Sequence, residues 1–210
     1  MIRFLVFFNL LCFSAFSVAE VESELEVTGT FSVMNPNQLV LSAREYQVSY
    51  SKNFFGISAF QLGFSIPTAP WGRFQLFPFA RAGYARNQGT YSLTAPDGTS
   101  STADVTLHWL PLSAGVRTEY SIPNFDLIRP YLLISGGAEW LNQRGSSLDL
   151  NETFWIPYYN VGLGLSFADT WKTNELGFGG FSFSISFQNG LRSDQETQLL
   201  SYDLTIHFLL

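Results

Sequence analysis

Cysteine, histidine and charge are all scarce in this chain of 210 residues, which holds one Cys, two His and 13% charged residues. The single cysteine, Cys12, cannot form an internal disulfide, and it lies in an apolar N-terminal run that reads as a removable leader. Without the leader no Cys remains, which excludes thiol catalysis and Cys-ligated metal, and nothing suits a haem or iron–sulfur site. No cluster of His or carboxylates has metal-ligand spacing, so neither a metal nor another cofactor is expected. Basic residues number 11 against 17 acidic with no basic patch in the sequence, which makes nucleic acid a poor partner. After Ala19 no uninterrupted apolar run approaches the roughly 20 residues that a membrane helix needs. If this chain spans a membrane, it does so with strands.

Met1 to Ala19 carries one basic residue, Arg3, followed by Phe4 to Phe8, Asn9, and Leu10 to Phe16, and it ends in Ser17-Val18-Ala19 before Glu20. Small residues three and one positions before the cut mark a secretory signal peptide over residues 1–19, with a mature chain beginning near Glu20. Leu11 stands before Cys12 where a lipidation signal needs a small residue, which argues against a lipoprotein. The mature chain has 10 basic and 17 acidic residues, a net charge of −7.

What the sequence does have is aromatic residues, 17% of the total, set in period-two alternation. From Gln198 onward Leu200, Tyr202, Leu204, Ile206, Phe208 and Leu210 alternate with Ser201, Asp203, Thr205 and His207. A strand built this way has one apolar and one polar face. Nine such segments can be read: Leu25 to Val33, Leu39 to Ser51, Phe54 to Ile66, Arg73 to Arg86, Asp104 to Ser121, Leu127 to Leu141, Phe154 to Ala168, Glu175 to Gln188 and Gln198 to Leu210. Most reach the about 9 to 11 residues that cross a bilayer at a tilt. Recurrent Gly, Ser and Thr within the runs disfavour helix.

Short connections at Pro67 to Gly72, Ile122 to Asp126 and Asp169 to Asn174 alternate with longer polar ones at Asn87 to Ala103, Asn142 to Thr153 and Asn189 to Thr197. Short periplasmic turns and longer outer loops are the rule in outer-membrane barrels, whose strand number is even. Counting back from a periplasmic C-terminus leaves Leu25 to Val33 one segment too many. The expectation is therefore eight spanning strands from about Leu39, with residues 20–38 an N-terminal extension. Two alternatives stay open: the early segment is strand one and a long strand has been split, or a tenth strand exists.

The two faces can be assigned strand by strand. In Arg73 to Arg86, Phe74, Leu76, Pro78, Ala80, Ala82 and Tyr84 share the lipid face, with Gln75, Arg81 and Gly83 inside. In Leu127 to Leu141, Ile128, Pro130, Leu132, Ile134 and Trp140 face out, with Arg129, Tyr131, Ser135, Gly137 and Glu139 inside. A charge on the lipid face at the bilayer midplane costs about 2 to 4 kcal/mol, so charges must fall on one parity. Trp140, Trp155, Tyr120 and Tyr202 lie near strand ends, where aromatic girdles meet head groups. A weak repeat of Pro followed by Gly, in FPFARAG, LPLSAG, RPYLLISGG and IPYYNVGLG, reads as architectural, with Gly making room for large neighbours.

On the patterns RPYLLISGG, LPLSAGVRTEY and YDLTIHFLL the chain resembles the small bacterial outer-membrane barrels typified by OmpA, OmpX and OmpW, over about Leu39 to Leu210. The resemblance implies an up-and-down transmembrane β-barrel, contact with outer-membrane lipid and lipopolysaccharide, and recognition of the C-terminal strand by the barrel-assembly machinery. That strand usually ends in Phe, whereas here Phe208 sits two residues early and Leu210 is last.

Catalysis has little support in the pattern. His108 is followed by Trp109 and Leu110, so the His-x-Ser of a lipid-A deacylase is missing. His207 lies inside the barrel near its periplasmic end, beside Thr205 and near Asp203, away from the outer leaflet. Neither the convergent rim groups of a palmitoyl transferase nor the Asp and His pairs of an omptin-type protease are present. Inward charges form the one constellation of interest: Glu45, Arg81, Arg117, Glu119, Arg129, Glu139, Asp203 and His207. Pairing across Ile122 to Asp126 brings Arg129 beside Glu119 or Arg117. These charges read as a satisfied plug, since eight strands leave an interior that side chains just fill; the competing reading is a charged gate on a solute path. The function expected is a non-enzymatic integral outer-membrane barrel with a structural or surface-interaction role. The alternative is a narrow channel for small or hydrophobic solutes in the OmpW manner. A lipocalin-like soluble binder would need the opposite assignment of faces.

Overall fold

The computed structural model describes residues 25–43, 46–49, 57–125, 127–145, 151–168, 177–192 and 195–210. The leader and Glu45 fall outside these residues. Nine strands are present among them: β1 Glu26–Ala43, β2 Tyr46–Ser49, β3 Ile57–Ser65, β4 Phe74–Thr94, β5 Ser100–Tyr120, β6 Ile128–Gly145, β7 Asn151–Ala168, β8 Gly177–Gly190 and β9 Gln195–Leu209. All neighbours pair antiparallel, and β9 returns to β1 from Glu26↔Leu209 to Leu41↔Gln195, which closes the barrel. Both β2 and β3 lie between β1 and β4, so they are two pieces of one wall position and the wall has eight.

At the N-terminus the structure replaces the extension with the alternative left open from the sequence: the early segment is strand one and a long strand has been split. Leu25 to Val33 is not an extension preceding the barrel: it opens β1, which runs on through Leu39 to Ala43. The segment Leu39 to Ser51 divides, its first part finishing β1 and its second part forming β2. Asn35-Pro36-Asn37 looks like a turn in sequence, yet the pairing with β9 merely shifts register between Pro36 and Gln38. A bulge is one of the few places where a strand tolerates Pro, because the ladder bond is already interrupted there.

The long polar connections are corrected as well. Within Asn87 to Ala103, β4 continues to Thr94 and β5 begins at Ser100, leaving a tight tip closed by Ala95 N to Thr99 O at 2.9 Å. Asn142 to Thr153 and Asn189 to Thr197 are likewise entered by strand from both sides. A run of polar residues reads as loop, but the outward residues of a strand above the membrane are equally polar.

Parity holds along the strands except at the bulges of β1 and β8, where it shifts by one residue. On β5 the odd positions from Ala103 to Glu119 turn inward, and the even ones turn out. Outward Phe60, Leu62, Phe64, Leu163, Leu165, Phe183, Ile185, Leu204 and Ile206 are exposed. An apolar surface that wide on a closed barrel belongs in lipid, which makes this a transmembrane barrel and excludes the lipocalin-like arrangement. Tyr84, Trp155 and Tyr202 rim the belt at one end, and the paired rings of Phe74 and Tyr120, 5.1 Å apart, rim it at the other. The latter end also carries Glu26 and Leu209 and is called lower here. The close Gly positions of the repeat are structural: a Cβ on Gly115 would meet the Ile134 carbonyl, and one on Gly137 the Leu112 carbonyl.

Candidate functional site

The barrel interior has two layers of opposite chemistry. In the lower layer Glu26 at the start of β1 faces Arg117 of β5 and His207 of β9. Arg117 Nη2 donates to both Glu26 carboxylate oxygens at 3.1 and 3.2 Å, and its Nε lies 3.1 Å from Glu119 Oε1. Glu119 Oε2 is 3.9 Å from Arg129 Nη1. The Arg117 guanidinium also lies over the Phe77 ring at 4.3 Å, and Tyr131 stands 5.9 Å away. Arg117, Glu119, Glu26 and His207 are all buried. Two carboxylates and two rings therefore surround one guanidinium, the arrangement a buried cation requires.

Glu26 was missed in the sequence because it stood in the supposed extension. The signal was present: Glu26, Thr28, Thr30 and Ser32 share one parity against Val27, Phe31 and Val33. It also displaces Asp203 as the partner of His207. Asp203 instead accepts from Ser184 Oγ at 3.5 Å and Ser201 Oγ at 2.5 Å.

His207 is held on both ring nitrogens, with Nδ1 2.9 Å from Glu26 Oε1 and Nε2 2.8 Å from Ser182 Oγ. Serine, histidine and carboxylate in this order have the connectivity of a hydrolase triad. Here the same Glu26 carboxylate is shared with Arg117 and with Ser65 Oγ at 2.6 Å. Ser182 lines a cavity of about 30 Å³ together with Thr28, Thr30, Arg81, Arg117 and Thr205. That volume suits a water and not an acyl group.

A second cavity, of about 20 Å³, lies between Arg81, Asp203, Gln61, Asn160 and Gln188. Arg81 borders both cavities and lies over the Phe79 ring at 4.7 Å. Glu139 is fully buried beyond them, accepting from Gln188 Nε2 at 2.8 Å with Trp109 and Thr197 alongside. Of the eight charges singled out from the sequence, the seven among the described residues thus divide. Arg117, Glu119, Arg129 and His207 join through Glu26, whereas Arg81, Asp203 and Glu139 stand apart above them.

Above Glu139 the lumen turns apolar. Leu41, Val48, Leu93, Val105, Leu107, Trp109, Leu141, Ile156 and Leu199 pack there with almost no exposure. Outward positions on the same stretch are polar, as in Gln88, Thr94, Thr102 and Asp104. Tyr91 is inward, donates to Asn87 Oδ1 and is kept neutral by burial, which raises its pKa. At the hairpin tip Asp97 accepts from Thr99 N at 2.9 Å and Thr99 Oγ1 at 2.6 Å, bonds that lower its pKa.

No family model matches this chain, and no curated protein matches it. Among solved structures it is similar to the attachment invasion locus protein Ail of Yersinia pestis, at 13% identity over 90% of this chain and 97% of that one, with a TM-score of 0.46. It is similar to Neisserial surface protein A at 10% identity over 90% and 97%, with a TM-score of 0.45. It is also similar to the outer membrane enzyme PagL at 16% identity over 87% and 97%, with a TM-score of 0.44. The closure of β9 on β1 and the lipid-facing belt of this chain's own strands identify the molecule: a closed, eight-position transmembrane β-barrel.

Proposed function

We propose that this protein is a non-enzymatic outer-membrane barrel of a Gram-negative-type envelope, with a structural and surface-contact role. A leader over residues 1–19 delivers the chain, and the barrel-assembly machinery receives it through the C-terminal strand. The membrane part is an anchor sealed below by the Glu26, Arg117 and His207 layer. The upper part is a rigid β-walled extension that presents the hairpin tip at residues 95–99 to the surroundings. The single observation carrying this reading is the apolar packing of Leu41, Val48, Leu93, Val105 and Ile156 across the upper lumen. A hydrated ion path needs polar walls, and side chains in contact leave no path at all.

Planar-bilayer recording of the purified barrel tests it. The expected result is no conductance steps. Large, stable steps overturn the structural role, and small cation-selective or hydrophobic-solute flux promotes the narrow channel in its place.

A further inference from the structure

The ten basic residues of the mature chain are scattered in sequence, yet three neighbouring strands bring two of them to one spot on the outer wall. Arg86 of β4 pairs with His108 of β5, and His108 pairs with Asn142 of β6; two residues further up β6 stands Arg144. All face outward, and Arg86 and Arg144 are exposed. The register sets Arg86 directly across from His108 and Arg144 on the diagonal to it. No carboxylate among the described residues forms an ion pair with either arginine. Arg144 Nε donates to Asn142 Oδ1 at 2.9 Å, and among the described residues no side-chain bond engages its terminal nitrogens. Tyr84 Oη lies 2.8 Å from His108 Nδ1. With the phenol donating there, Nε2 carries the ring proton and is available as a donor.

The position of this cluster points to its ligand. Directly below it runs the row of Tyr84, Leu110 and Trp140, the upper edge of the lipid-facing belt. Below that row the outward residues on the same three strands are small apart from Leu112: Ala82 pairs with Leu112 and that with Ala138, and Ala80 pairs with Ala114 and that with Gly136. On the opposite wall the corresponding surface carries Phe183, Ile185 and Leu204. A cationic group at the interface thus stands over an apolar strip of mostly small residues, the complement of an anionic headgroup with its acyl chain below.

We propose that Arg86, His108 and Arg144 form a binding site for the phosphate monoester of an outer-leaflet lipid headgroup, whose chain lies along Ala82, Ala114 and Ala138. Two guanidinium groups supply forked donors suited to phosphate oxygens, and the imidazole N–H supplies a third. The proposal rests on the outer-membrane reading above. It adds to it a place on the wall and a headgroup chemistry.

The test uses the full barrel refolded into nanodiscs of zwitterionic lipid containing a few mole per cent of lipid A or phosphatidic acid, with retained lipid measured by mass spectrometry after extraction. Wild type is expected to enrich the phosphate-monoester lipid, and Arg86→Gln with Arg144→Gln together to lower that enrichment by about tenfold. Both side chains point away from the lumen, so unheated gel mobility should be unchanged; the control Arg73→Gln, at the lower rim, should enrich like wild type. Equal enrichment by wild type and the double variant overturns the site. Equal enrichment of phosphatidylglycerol, a diester, overturns the monoester assignment. Displacement of the lipid by millimolar inorganic phosphate overturns the lipid as the source. Failure of the wild-type chain to insert would instead overturn the outer-membrane reading, and it is detected separately by protease protection in the same discs.

Discussion

The lower and upper halves of the barrel interior use the same inward parity for opposite ends. Below, Glu26, Arg117, Glu119 and His207 fill the lumen with paired charge; above, Val105, Leu107 and Trp109 on the same strand as Arg117 fill it with hydrocarbon. The difference follows the solvent outside. Where lipid surrounds the wall, outward residues must be apolar, and the narrow interior can hold polar groups that satisfy one another. Where water surrounds it, outward residues are polar and the interior becomes an ordinary hydrophobic core. A single strand changes from membrane protein to soluble protein at about His108 without changing register.

The largest effect expected is on the apolar half. Trp109→Ala removes a side chain that is 1% exposed, which costs about 3 to 5 kcal/mol in a packed core. The extension should loosen alone, so added protease should reach the 95–99 hairpin while the unheated barrel keeps its compact gel mobility. Loss of both together would show that the two halves fold as one unit. In the charged half Glu26→Ala leaves Arg117 with Glu119 as its remaining carboxylate. Breaking a buried pair costs about 3 kcal/mol, less where neighbouring water can enter. Thermal unfolding in detergent should shift down accordingly, and an unchanged profile would mean that this layer is solvated.

A mirrored pair of conservative changes sharpens the comparison. Val105→Thr puts a hydroxyl into a fully buried apolar cluster, at a cost of about 2 kcal/mol. Thr30→Val removes one bond of 2.9 Å to Thr205 Oγ1 in a polar setting and should cost about 1 kcal/mol. If the two costs come out in the reverse order, the halves do not differ as described. The smallest effect belongs to Asp97, fully exposed at the tip. Its pKa is lowered by the Thr99 bonds, so its contribution is present above the unfolded carboxylate value and is lost as the pH falls through the folded one. Amide exchange at Thr99 should quicken in that acidic range, and Asp97→Ala should show the fast rate at neutral pH.

Much of this was legible in the sequence, because strand parity is local. The inward placing of Arg81, Arg117, Arg129, Glu139 and His207 follows from counting by twos, and so does the lipid face of Phe181, Phe183 and Ile185. The N-terminal strand was harder, since Asn-Pro-Asn reads as a turn whether the chain turns or merely bulges. The length of the outer hairpins was hidden for a similar reason: Thr90, Ser92 and Thr94 are as polar on an exposed strand face as in a loop.

What the sequence determined by itself is the alternation, hence strands, two faces, a closed barrel and its lipid belt; each rests on residues two apart. What only the tertiary structure decided is who meets whom across the lumen and across the wall. Glu26 reaches Arg117 from 91 positions away. Ser182 and Glu26 converge on His207 from separate strands. Arg86 and Arg144 flank His108 from neighbouring strands. Those neighbours depend on strand order, register and closure, which are set by the packing of the whole barrel and leave no mark on any single stretch of chain.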